Sequence, residues 1–104
     1  MIGEIPYFEV TSTSENSTPF ETPIVDQEGF CKRVIDFVEF NLNSNYQIAT
    51  LCYFVDPFGS VMEATLEHSG YYKSLSKCIE FYESVERYEQ CTKIKNIIED
   101  YELF

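Results

Sequence analysis

Residues 78 to 101, CIEFYESVERYEQCTKIKNIIEDY, carry two apolar stripes at helical spacing on either side of a tight charged turn, Glu86-Arg87-Tyr88-Glu89. Before the turn, Tyr71, Leu75, Cys78, Ile79, Tyr82 and Val85 follow a three-and-four spacing; after it, Cys91, Ile94, Ile97, Ile98 and Tyr101 repeat the pattern, with Lys93 and Lys95 on the other side. That period puts each set on one face of a helix, so the spacing predicts a C-terminal helical hairpin. A hairpin with an apolar seam needs further chain to cover it, and the rest of the sequence must supply that cover.

Upstream, FCKRVIDFVEFNL places Phe30, Val34, Phe37, Val38 and Asn41 on one face, with Cys31, Ile35 and Leu42 adjoining, which predicts a helix from Gly29. Asp26 or Glu28 favours its start through the helix dipole. Asn41-Leu42-Asn43-Ser44-Asn45 ends it, because Asn and Ser compete for backbone hydrogen bonds and tolerate left-handed turns. Next, Asp56-Pro57-Phe58-Gly59 has the residues a type I turn prefers. A β-hairpin is therefore expected, Gln47 to Val55 paired with Ser60 to Glu67, although Ile48, Leu51, Cys52 and Val55 also suit a short buried helix. In the second strand Met62, Ala64 and Leu66 alternate with Val61, Glu63, Thr65 and Glu67, giving one apolar and one polar face.

These elements predict an α+β domain: helix, β-hairpin, then helical hairpin. A rival all-α reading rests on an internal echo, Val34 to Glu39 against Cys78 to Glu83, which would make two duplicated helical hairpins. Residues 26–104 form the expected globular domain. Residues 1–25 are an acidic, Ser/Thr/Pro-rich arm, because TSTSENSTPFETP over residues 11 to 23 has a composition that cannot pack. Within the arm, Ile5 to Val10 reads either as a short strand docked on the domain or as a peptide docked on a partner.

At 104 residues the chain suits a single domain. With 44% hydrophobic and 16% aromatic residues it is too apolar to be wholly disordered. Acids outnumber bases 18 to 7, for a net charge of -11, which disfavours direct contact with nucleic acid or anionic membranes. Six of the acids, Glu4, Glu9, Glu15, Glu21, Asp26 and Glu28, fall in residues 1 to 28, which hold no base. No apolar run approaches the length of a membrane span. Without a basic region followed by an apolar run at the N-terminus, a cytoplasmic location with reduced thiols is expected.

Catalysis and cofactor binding find little support. Cys31, Cys52, Cys78 and Cys91 include no Cys-x-x-Cys pair and read as buried small hydrophobes. His68 is the only histidine, so a two-histidine metal site is impossible. The glycines at 3, 29, 59 and 70 match no phosphate-loop spacing. The expectation is no enzyme, no metal and no cofactor.

The hairpin turn resembles the UVR motif of bacterial excision-repair excinuclease subunits, in which an acidic-aromatic-Glu turn joins two short helices. The matching positions are Glu86, Tyr88 in the aromatic place, Glu89, Cys91 where a small residue is usual, Ile94, Lys95 where Arg is usual, and Ile98; Arg87 and Asn96 stand where acids are usual. The resemblance covers residues 78–101 alone. In that family the hairpin binds other proteins, often a second copy of the motif, so it implies protein binding.

The expected function is thus that of a small acidic protein-interaction module, an adaptor or regulator, engaging a protein partner with a basic surface. The candidate contact residues are Tyr82, Glu86, Tyr88 and Glu89, with Glu80 and Glu83 one helical turn apart beside them. Tyrosine suits such a surface, having apolar area and a hydroxyl that can stay wet. Two other readings are an inhibitor that imitates DNA before a nuclease or DNA-binding protein, and a structural or assembly subunit that forms a homodimer or larger assembly.

Overall fold

The computed structural model describes residues 4–11, 24–45 and 47–103. The order of elements is β1 (Tyr7–Glu9), α1 (Gln27–Asn43), β2 (Thr50–Val55), β3 (Val61–Thr65), a single 3-10 turn (His68–Gly70), α2 (Tyr71–Ser84) and α3 (Tyr88–Asp100). The fold is α+β, as the helix and turn signals predicted, and the three strands exclude the all-α duplication.

The expected β-hairpin forms in antiparallel register with Val55 opposite Val61 and Tyr53 opposite Glu63. Its turn works as the Asp-Pro-Phe-Gly signature requires. The Asp56 carboxylate accepts from the Phe58 and Ser60 amides at 2.9 and 2.8 Å, and Gly59 takes φ +86°, a left-handed value glycine reaches without strain.

The N-terminal segment departs from the expected separation at residue 25. Tyr7–Glu9 is a strand, parallel to β2, so β1, α1 and β2 make a β-α-β unit. Phe8 and Val10 point into the core while Tyr7 and Glu9 face out. Of the two roles left open for Ile5 to Val10, docking on its own domain is the one found. A three-residue strand is too short for its alternation to stand out in a sequence. The Ser/Thr/Pro-rich stretch, with Glu15 and Glu21, lies at 12–23, outside the described residues.

Asp26 caps α1, its carboxylate accepting from the Gly29 amide at 2.9 Å. The apolar face of α1 buries Phe30, Val34, Phe37 and Val38, and the helix contacts both β2 and α2. Phe30 is the pivot. Its ring meets Phe8 edge-on at 5.6 Å and Phe54 at 5.8 Å, joining β1, α1 and β2 in one aromatic cluster.

Two buried polar residues of α1 repair the sheet's backbone. The β2–β3 register shifts between Thr50 and Cys52, a bulge at Leu51. Arg33 Nε donates to the Leu51 carbonyl at 2.6 Å, and its guanidinium lies 5.6 Å from the centroid of Phe37. Burial lowers the pKa of this guanidinium, with Cys52 and Asp36 opposing the shift. Asn41 pairs with Ile48 like a strand neighbour, donating to its carbonyl and accepting from its amide at 2.9 Å each, and reaches the Tyr71 hydroxyl at 3.0 Å. A bulge and an unpaired residue on a buried face would otherwise leave polar groups stranded.

Candidate functional site

The end of the helical hairpin is where the expected contact residues converge. On α2, Tyr71, Leu75, Cys78 and Tyr82 are buried; on α3, Cys91, Ile94, Ile97 and Ile98 are. The two helices pack along that seam. Both end in the same way. At the close of α2 the Glu86 amide donates to Glu83 and the Arg87 amide to Tyr82; at the close of α3 the Glu102 amide donates to Glu99 and the Leu103 amide to Ile98. This is the Schellman arrangement, and the left-handed position falls on Glu86 (φ 58°) and Glu102 (φ 51°) rather than on glycine.

Three contacts fasten α3 along α1: Arg87 to Glu28, Lys93 to Glu39 at 3.5 Å, and the Tyr101 hydroxyl donating to Asn43 Oδ1 at 2.6 Å. Residue numbers rise together on both helices, so α1 and α3 run in the same direction. Arg87, one of the two departures from the UVR pattern, is thereby engaged within the molecule.

The expected site residues separate into two groups. Glu80, Glu83, Glu86, Tyr88 and Glu89 are exposed around the turn. Glu80 pairs with Lys77 at 3.3 Å, whereas Glu83, Glu86 and Glu89 have no ion-pair partner among the described residues. Glu89 lies in the first turn of α3, where the dipole favours an acid. Tyr88 begins α3 beyond the last turn of α2 and is 60% exposed.

Tyr82 is a correction. It is the largest fully buried side chain, at 0% exposure, and cannot meet a partner. The same helical spacing that made it a candidate puts it on the seam, in line with Leu75 and Cys78. Its hydroxyl has no hydrogen-bond partner among the described residues. Burial pushes its pKa up to about 12, helped by Cys31, Cys78 and Glu28 and opposed by Arg87.

All four cysteines are buried and free. Burial pushes Cys52 up to about 12 and also raises Cys91; a hydrogen bond with the Cys31 thiol and then burial raise Cys78. Activated thiols have the opposite shift. His68 is exposed in the 3-10 turn, its ring 5.0 Å from that of Tyr71. Among the described residues no group of three His, Cys, Asp or Glu could hold a metal ion, and no helix is long and apolar enough to cross a membrane. Away from the acidic turn, toward the start of α2 and the end of α3, an open groove of about 280 Å³ runs between the two helices, with Tyr72, Ile79, Lys95 and Ile98 among its walls.

A second exposed region was missed from the sequence. Tyr7 stacks on Tyr53 at 5.0 Å on the outer face of the sheet, and Phe58, Val61 and Met62 are exposed on the hairpin. Met62, expected on the covered face with Ala64 and Leu66, is 40% exposed because no described element covers that end of β3. The alternation of Ser60 to Glu67 was the available signal; which end would lie uncovered was not in it.

The architecture defines a small α+β domain with an acidic helical hairpin. Comparison with known proteins found no family model, no curated protein and no solved structure that matches the chain.

Proposed function

We propose that this chain is a non-enzymatic protein-interaction module, an adaptor or regulator, whose hairpin turn engages a protein partner with a basic surface. One observation carries the reading: Glu83, Glu86 and Glu89, exposed and without ion-pair partners among the described residues, lie within a few positions of the exposed Tyr88 at the turn of the hairpin. Unpaired carboxylates steer a basic surface toward the site, and an exposed tyrosine supplies apolar contact once it arrives. The likeness of residues 86–98 to the UVR hairpin supports the same use. Buried thiols with raised pKa values speak for structure over nucleophilic chemistry, and four free cysteines suit a reducing, cytoplasmic setting.

The test is affinity capture from native lysate with the wild-type chain and a Glu83→Gln, Glu86→Gln, Glu89→Gln triple variant. The reading expects a basic protein held by the wild type, released by moderate salt and lost with the variant. Equal capture by both chains would remove the hairpin turn from the site. Imitation of DNA is the second reading, favoured by the placement of Glu9 on an ordered strand rather than on a loose arm. It expects the captured protein to be a nuclease or DNA-binding protein that competing duplex DNA displaces.

A further inference from the structure

The two edges of the sheet differ. Beyond β1, the Val25 amide donates to the Glu9 carbonyl at 3.0 Å and Ile24 bridges Val10, so the chain itself covers the Glu9 end of that edge. Beyond β3, no described residue pairs. The Asp56 amide donates to the Ser60 carbonyl at 2.9 Å, and counting inward along the antiparallel ladder puts the next bonded pairs at Phe54–Met62 and Cys52–Ala64. The main-chain groups of Val61, Glu63 and Thr65 therefore face away from β2 and pair with no strand among the described residues.

The side chains along this edge select what can pair with it. All seven lysines and arginines fall at positions 32, 33, 73, 77, 87, 93 and 95, so the sheet carries none. Glu63 stands at the middle of β3 with no ion-pair partner among the described residues, flanked by Val61 at 54% and Met62 at 40% exposure, and Phe58 at the hairpin tip is 90% exposed. A second copy pairing antiparallel about Glu63 would set Glu63 against Glu63 on two chains of charge -11 each. The edge is thus blunted against itself by an acid, while a strand bearing lysine or arginine meets no such penalty.

We propose that the free edge of β3 binds an extended basic peptide segment by strand addition, with a lysine or arginine opposite Glu63 and aliphatic residues, alternating with the basic ones, opposite Met62 and Ala64. The backbone ladder supplies affinity, and the alternating side chains supply selectivity. The inference rests on the basic-partner reading above for the charge of its ligand but uses a different surface.

The probe is the peptide acetyl-Lys-Val-Lys-Val-Lys-Val-Lys-amide, titrated into the full chain by NMR. Two further versions carry N-methyl groups, one on the lysine amides and one on the valine amides. Both keep charge and composition, but only one blocks the amides that face the protein. The expected result is binding of the parent peptide, slowed exchange of the Val61, Glu63 and Thr65 amides, and at least about a tenfold affinity difference between the methylated versions. Loss on lysine methylation signifies antiparallel addition and loss on valine methylation parallel addition; either supports the proposal. Glu63→Lys is expected to abolish binding, and the Glu83, Glu86, Glu89 triple variant to leave it.

Equal binding of the two methylated peptides overturns strand addition while leaving the acidic-module reading intact. Loss of binding with the triple variant alone moves the site to the hairpin and also overturns it. Protection of the three edge amides in the free chain, dimerisation that Glu63→Lys alters, or no binding by any peptide each overturns it as well.

Discussion

The helical hairpin and the sheet dispose of their apolar residues to different degrees. In α2 and α3, Leu75, Cys78, Tyr82 and Ile94 have no exposure, and the exposed apolar residues Tyr72, Val85, Tyr88 and Tyr101 lie at the helix ends. The sheet buries Phe8, Cys52 and Phe54 on one face and leaves Tyr7, Val61 and Met62 in solvent on the other face or at the edge. Charge follows the same division. The helices and the turn that joins α2 to α3 hold every lysine and arginine, and Glu28, Glu39 and Glu80 are partly neutralised there, while Glu9 and Glu63 on the strands have no cation nearby in the sheet. The difference arises because each helix of the hairpin has packed neighbours around its seam, whereas the sheet has helices against one face only. Apolar area left in solvent beside unneutralised acids is where a partner would gain most.

The sharpest way to break this comparison is on the sheet's side, at Phe30, which joins α1 to β1 and β2. Phe30→Ala should cost about 3–5 kcal/mol in urea unfolding, since a large cavity opens between β1, α1 and β2. A cost below about 1 kcal/mol would show that the aromatic cluster does not hold the sheet.

Alkaline pH should weaken both halves together, by a few kcal/mol. Cys52 and Tyr82 are raised in the folded chain, from 9.0 and 10.0 to about 12 each. Their stabilising effect is complete below the unfolded values and disappears as pH rises through the folded ones, because the unfolded chain loses these protons first. The urea midpoint should fall between about pH 9 and 12, and a Cys52→Ala, Tyr82→Phe double variant should flatten that slope.

Arg33→Met leaves the Leu51 carbonyl at the bulge without its donor, for an expected loss of about 2 kcal/mol. Unchanged stability would mean that water replaces the guanidinium. The hairpin should respond in the opposite direction to Tyr82→Phe, which removes a buried hydroxyl without a partner and should raise stability by about 1 kcal/mol. Glu86→Gly should add less, under about 1 kcal/mol, by relieving the left-handed backbone at the turn; a lower melting temperature for this variant would count against strain there.

Legibility from the sequence tracked range along the chain. α1, α2 and α3 announced themselves because three-and-four periodicity is a local property, set by which side chains share one helical face. The Asp56 to Gly59 turn was equally plain, since its hydrogen bonds close within five residues. Tyr82, from the periodic stripe, and Tyr88, from the charged turn, were named together as contact residues, but the local pattern could not say that one is buried on the seam and the other exposed past its end. Glu80, Glu83, Glu86 and Glu89 were placed on the surface correctly, as charge in a helix exterior usually is.

By itself, then, the amino-acid sequence determined the helices, the β-hairpin turn, the acidic balance and the segregation of every base to the helical segments. Only the tertiary structure decided that Tyr7–Glu9 is a strand beside β2, that Arg33 and Asn41 repair distant backbone, and that β3 has no second strand beside it among the described residues. Each of these depends on groups far apart in the chain meeting in space. A three-residue strand or a single buried arginine carries no periodic signal of its own, and its energy exists only once the partner carbonyl or neighbouring strand has been brought to it.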